Sequence, residues 1–273
     1  MRKKSKVLNI IITVIFVTGL IILLYPSVSN YINSKHASRV IKSYRETVDN
    51  ADPDGLEKSF EAAEAYNKEL AQKPEAFFKP EIISGYNSTL DITGTGIMGY
   101  VEIEKIGVEL PIYHGVEKEV LQVGAGHLPG TSLPVGGNST HSVLSGHRGL
   151  PSSKLFSDLD KMEIGDTFCI IIHDKVLTYQ VDQIKIVLPT ETDDLRIENG
   201  KDYCTLLTCT PYGVNSHRLL VRGVRVDTPE NVDIRVINEA VKVDPVIVAS
   251  IILIPLLVLA YLIIFLFDKK RRE

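Results

Sequence analysis

The sequence predicts a mainly β domain, a closed or nearly closed mixed barrel of about eight short strands, flanked by two transmembrane helices. Three observations carry this. From Ile97 to Val226, apolar and β-branched residues recur in short runs punctuated by Gly, Pro, Asn and Asp. Residues 7–25 and 246–267 are uncharged and apolar, each close to the ~20 residues that cross a bilayer. Arg2, Lys3, Lys4 and Lys6 precede the first segment and Lys269 to Arg272 follow the second, so both termini are expected in the cytoplasm and the piece between outside it.

The first segment has two readings. It is an uncleaved anchor, or, with Ser27-Val28-Ser29 behind it, a cleavable signal peptide; its apolar run exceeds the usual signal core of about 7 to 15 residues. For the second segment the alternative to a span is a buried core helix. Next, Ala37, Val40, Ile41, Tyr44 and Val48 recur at helical spacing, and so do Leu56, Phe60, Ala63, Tyr66 and Leu70. Asp52-Pro53-Asp54-Gly55 separates the two stripes as a turn. Residues 73–90, with Pro74, Pro80 and Gly85, read as a loop carrying the adjacent aromatics Phe77 and Phe78.

Strands are expected from Ile97 onward: through Val101, Ile103 and Lys105, at Val108 to Ile112, and at His141 to Ser145. More follow at Thr167 to Ile172 and Val176 to Leu188, with a closing hairpin from Tyr203 to Arg222. Lys118 to Val123 reads as a short helix, 124–140 as a Gly/Pro/Ser-rich loop, and 189–200 as a charged loop. Ser153 to Met162 reads as a helix with Leu155, Phe156 and Leu159 on one face.

The formal charge of the chain is −4. The basic N-terminus contributes +4 and residues 268–273 contribute +2, which leaves −10 on the part between. Such an acidic domain excludes nucleic acid as a partner, because that needs a basic surface. The three cysteines are Cys169, Cys204 and Cys209. Cys169 and Cys204 sit in apolar strand patterns as small hydrophobes, with a Cys169–Cys204 disulfide as the alternative. No Cys or His cluster has zinc spacing, so no metal and no cofactor is expected.

The chemistry concentrates in the hairpin. Tyr203, Thr205 and Leu207 alternate with Cys204, Leu206 and Thr208, and Pro211-Tyr212-Gly213 supplies the turn. On the second strand Leu219 and Val221 share one face, and Arg218, Leu220 and Arg222 the other. A register that sets Cys209 opposite Arg218 puts a thiol beside a guanidinium, a cation that favours the nucleophilic thiolate. His147, at the end of the Val143-Leu144 strand in a glycine-flanked turn, is a candidate proton-transfer partner. The other histidines in the domain, at 114, 127, 141, 173 and 217, carry no second signature and read as structural.

The stretches TLLTC, TPYGVNSHRLLVRG, SGHRGLP, GYVEIEKIGVELPIYHG and GHLPGTSLPVGG closely resemble the class C, pilin-polymerising sortases of Gram-positive bacteria, over roughly residues 55 to 226. The resemblance implies a sortase-type eight-stranded β-barrel, with His147, Cys209 and Arg218 as the catalytic residues. More weakly, it carries over Thr208 and Ser145 as residues that line the substrate groove. It implies a cysteine transpeptidase that cleaves LPxTG-like sorting motifs of pilins and joins the acyl group to a lysine of another pilin. The alternatives are a sortase that anchors proteins to peptidoglycan through a cell-wall precursor, and a silent membrane-anchored module that binds sorting motifs.

In that family the stretch equivalent to 73–90 is a lid held by Asp-Pro and an aromatic. That signature is absent here, and Phe77 or Phe78 is expected to plug the groove instead. Leu128-Pro129-Gly130-Thr131-Ser132 looks like a sorting motif, but no apolar tail follows just downstream, so it reads as an ordinary loop. The expected organisation is an anchor or signal over 1–25, a helical region with the lid-like loop over 26–90 and the catalytic barrel over 91–228. A linker (229–245), the second span (246–267) and a basic cytoplasmic tail (268–273) complete it.

Overall fold

A computed structural model describes residues 2–228 and 258, with side chains from residue 11 onward. The expected linker, second membrane span and basic tail therefore lie outside the described residues, Val258 apart. Ile32–Val232 forms a compact unit of its own, and the chain up to Tyr31 belongs to another.

The first helix, α1 (Arg2–Asp49), is continuous and contains Pro26, where the sequence suggested a span and a separate helix after it. From Ile11 it includes an 18-residue window of mean hydropathy 2.4, long and apolar enough to cross a membrane. Its last turns bury Ala37, Ile41, Tyr44 and Val48. Tyr44 fixes that end to the barrel by donating to Met98 O (2.9 Å) and accepting from His173 N (2.9 Å).

Asp52 caps α2 (Pro53–Ala71) by accepting from Gly55 N, and Pro53 starts the helix where no backbone donor is needed. Phe60, Ala63, Tyr66 and Leu70 face the core as their spacing requires. Asn67 exchanges two hydrogen bonds with the backbone of Leu133, which ties α2 to the loop before the fourth strand.

Eight strands close into a barrel: β1 (Ile97–Ile103), β2 (Val108–His114), β3 (Ala125–His127), β4 (Thr140–Ser145), β5 (Thr167–Ile172), β6 (Lys175–Val187), β7 (Asp202–Thr210) and β8 (His217–Val226). Around the barrel the order is β1-β2-β3-β4-β7-β8-β6-β5. The β2–β3 and β4–β7 pairs are parallel and the others antiparallel, so the sheet is mixed. A short helix, α3 (Lys118–Val123), precedes β3. Leu144, Leu206, Leu219 and Val221 point into the main core, and their neighbours in sequence therefore point outward.

Four expectations are corrected. β3 lies inside the stretch read as a loop, because Ala125-Gly126-His127 is too short and too small-sided to show alternation. Lys105 belongs to a 3-10 turn over Glu104–Ile106 and not to β1. Ser153 to Met162 is not a helix: only Leu159–Lys161 forms a single 3-10 turn, and Leu155 has φ 38°. Leu155, Phe156 and Leu159 are buried all the same, so their spacing reported burial and not helix. Cys169 and Cys204 are both free thiols, which removes the disulfide alternative.

Candidate active site

The hairpin pairs as the alternation requires, with Cys209 opposite Arg218 and Leu206 opposite Val221. Leu206 and Val221 belong to the core, so Cys209 and Arg218 share the outward face. Both are half-buried. Arg218 Nη1 donates to the carbonyls of Asn215 (3.3 Å) and His217 (3.1 Å), which orients the guanidinium on the turn that joins the strands. Cys204, on the inward face of the same strand, is fully buried, and burial pushes its thiol well up; burial raises Cys169 as well.

His147 comes from the other side of β7. β4 pairs with β7 in parallel from Thr140↔Asp202 to Ser145↔Leu207, and Gly146 N extends the ladder by donating to Leu207 O (3.0 Å). Continued at that register, the next position sets His147 beside Cys209. Thr208 Oγ1 donates to Gly146 O (2.7 Å) just before this position, and Arg148 Nη1 donates to Thr210 Oγ1 (3.1 Å) just after it. Both bonds span 62 residues, the offset of the ladder itself. His147 is half-buried, and that burial lowers its pKa by disfavouring the charged ring. Gly146 is required here, since a Cβ would lie 2.5 Å from the Phe156 ring.

The outward face of this sheet carries an apolar patch between its polar positions. Val143 of β4 and Leu220 of β8 form a buried cluster with Leu195, joined by Leu128, Val187 and Leu207. An exposed sheet face would be polar, so these residues mark a part of the face that is covered. Phe77 is the cover. It packs into the cluster from the loop after α2, where 3-10 turns at Pro74–Phe77, Pro80–Ile82 and Tyr86–Ser88 replace the expected irregular chain. The Arg196 guanidinium sits 3.9 Å from the Phe77 ring centre and 4.3 Å from that of Phe78. Phe78 itself is 67% exposed and contacts Phe77 edge-on.

Ser145 lies on the groove face, half-buried and paired with Leu207. Thr208 does not line the groove. It is fully buried, and its hydroxyl is committed to Gly146 O, because even-numbered residues of β7 face inward. Leu128 to Ser132 is a tight, largely buried turn closed by Thr131 Oγ1 donating to Leu128 O (2.7 Å). Among the described residues no His, Cys, Asp and Glu group has the arrangement of a metal site. Sequence reasoning missed the groove wall at Val143, Leu207 and Leu220. The signal was available, since each of these strands places one large apolar residue on the face opposite its core residues.

Comparison with known proteins agrees with this architecture. Residues 101–226 match the family model of the sortase domain. Sortase D of Bacillus subtilis (strain 168) is 31% identical over 169 residues, covering 61% of this chain and 76% of that protein. Sortase C1 of Streptococcus agalactiae is 50% identical with a TM-score of 0.64, covering 70% of this chain and 100% of that one. Sortase C of Streptococcus pneumoniae, a structure described for its pilin substrate specificity, is 49% identical with a TM-score of 0.64 and covers 70% and 97%.

Proposed function

The chain belongs to the sortase family, and we propose that it is a class C member that joins pilins through Cys209, His147 and Arg218. The observation that carries this reading is the register. The antiparallel pairing sets Arg218 opposite Cys209, and the parallel β4–β7 ladder, extended two residues past its last pair at Ser145 and Leu207, supports His147 as the neighbour on the other side. Pilins as substrates are supported by the likeness to the Streptococcus pneumoniae sortase C.

Cys209 Sγ, as thiolate, attacks the threonine carbonyl carbon of an LPxTG-like motif. The negative charge that develops on the carbonyl oxygen meets the Arg218 guanidinium. The carbon–nitrogen bond then breaks as His147 protonates the leaving glycine amine, and a thioester remains. A lysine amine of a second pilin gives a proton to the neutral His147 and attacks the thioester. The carbon–sulfur bond breaks, the thiolate is restored, and an isopeptide bond links the two pilins.

Burial favours neutral His147, the form that takes the lysine proton, and disfavours the imidazolium that protonates the leaving glycine amine. The apolar groove over Val143, Leu207 and Leu220 suits the leucine and proline of such a motif. The cationic N-terminus and the apolar start of α1 support a membrane-anchored enzyme with its barrel outside the cell.

The test is co-expression of the full chain with a pilin that bears an LPxTG-like motif, comparing wild type with Cys209→Ala on a denaturing gel. A heat-stable ladder with wild type alone is the expected result. Transfer of the motif only to a small cell-wall amine, with no ladder, overturns pilin joining in favour of peptidoglycan anchoring. A ladder that survives Cys209→Ala overturns the nucleophile.

A further inference from the structure

We propose that Arg148 is a positioning residue for the transfer reaction, holding His147 in register with Cys209 through Thr210. The inference rests on the reading of His147 and Cys209 given above. The backbone ladder between β4 and β7 stops at Gly146, one residue short of His147. From there the chain turns away through Gly149 (φ 77°) into a loop made largely of turns. The histidine therefore stands where backbone pairing no longer sets its distance from β7. The His147 carbonyl is held within its own loop, accepting from Phe156 N (3.1 Å), and two side chains tie this stretch to β7. Thr208 Oγ1 grips Gly146 O on one side of the pair, and Arg148 Nη1 grips Thr210 Oγ1 on the other. Each joins positions 62 apart, so side chains prolong the register that the backbone has dropped.

The Arg148 guanidinium is itself aimed. Its Nη2 donates to Asp160 Oδ2 in the turn that ends the loop, so the fork is held from behind while Nη1 reaches Thr210. The arginine side chain is only 9% exposed, and its buried Nε has no partner. A nearly buried guanidinium with one unpaired N–H is a poor device for stability alone. It suits a place where geometry has value, between the neighbours of a nucleophile and of its proton carrier. The Tyr212 ring lies close over Gly149, a second contact between the same two loops. A lysine at 148 offers a point charge with no fork and cannot reproduce the two-sided hold.

The test uses the full chain in detergent, a quenched LPxTG peptide and an amine acceptor. Arg148→Ala and Thr210→Val are each expected to lower kcat about tenfold to a hundredfold, with KM within about twofold. Thr210→Ser keeps the hydroxyl and is expected to recover kcat to within about twofold of wild type. The Arg148→Ala/Thr210→Val pair should fall no further than the worse single variant, because both remove one interaction. Unfolding midpoints, and the rate at which iodoacetamide alkylates Cys209, show whether fold and thiol are intact. If Arg148→Ala does not fold, Thr210→Val, near-isosteric with threonine, decides alone. A folded Thr210→Val with near-normal kcat, or a loss that Thr210→Ser fails to recover, overturns the inference while the site reading stands. Turnover that survives His147→Ala removes that reading instead.

Discussion

Cys209 and Arg218 occupy directly paired positions of the β7–β8 ladder, on the face of the sheet turned away from the main core. Such a pair keeps its Cβ atoms roughly 5 Å apart whatever the side chains do. Substitution at Arg218 therefore alters charge and fork geometry without disturbing the barrel interior. Arg218→Lys keeps the charge and loses the planar donor fork. It is expected to lower kcat about 10²-fold or more with little change in KM, the cost of a lost oxyanion donor. Steady-state turnover of a sorting-motif peptide measures this; near-normal kcat would show that Arg218 does not contact the developing charge.

The Thr208 hydroxyl is fully buried and bonded to Gly146 O at 2.7 Å. Thr208→Val keeps the shape and leaves that carbonyl unpaired. The expected loss is about 1–3 kcal/mol of stability, recovered by Thr208→Ser. Urea unfolding reads it directly. Equal midpoints for wild type and Thr208→Val would mean that water or another donor replaces the hydroxyl.

Phe77 packs against the Val143, Leu195 and Leu220 cluster beneath Arg196, whereas Phe78 is mostly exposed. We propose that Phe77 is the plug and that Phe78 only steadies it. Phe77→Ala is expected to raise the rate at which a bulky maleimide labels Cys209, with a smaller effect from Phe78→Ala. The same rate for Phe77→Ala and wild type would show that the plug does not limit access.

Two buried histidines set an acid limit on the fold. His127 bonds the Tyr86 hydroxyl and Ser132 O, and His141 bonds Arg196 O and the Thr205 hydroxyl. Burial is the main cause that lowers each to about 4. The unfolded chain titrates them near pH ~6.5, so below that it takes up protons that the native state refuses. Stability is full above that value and falls as pH drops toward about 4, by something on the order of 3 kcal/mol per histidine. Urea midpoints at pH 7.5 and pH 5 test this, and His141→Asn should flatten part of the slope. Equal midpoints would show that neither ring is held neutral.

The hairpin was legible in the sequence because alternation puts Leu206 and Val221 on one face and Cys209 and Arg218 on the other, and the observed register pairs them so. Phe60, Ala63 and Tyr66 announced α2 in the same way. The proposed partnership of His147 with Cys209 was not legible from spacing. It depends on a parallel pairing between distant strands, and local alternation carries no information about which strands become neighbours. Recognition by resemblance supplied what spacing lacked. For Thr208 the resemblance pointed to the groove, but its alternation with Leu206 turns it inward, where it is fully buried.

β4 and β7 are neighbours in the barrel although β5 and β6 are made between them, and β8 must then fit between β7 and β6. The proposed nucleophile, base and cation thus lie on three segments, and the last of these begins at His217. Pairings this distant along the chain form late in folding. A chain that has emerged only as far as Thr210 already contains Cys209 and His147 but lacks the strand that completes the wall beside them. Reactivity therefore requires all three segments, the β8 strand included. Until β8 has paired, an immature molecule has no assembled centre with which to form a thioester on a passing pilin.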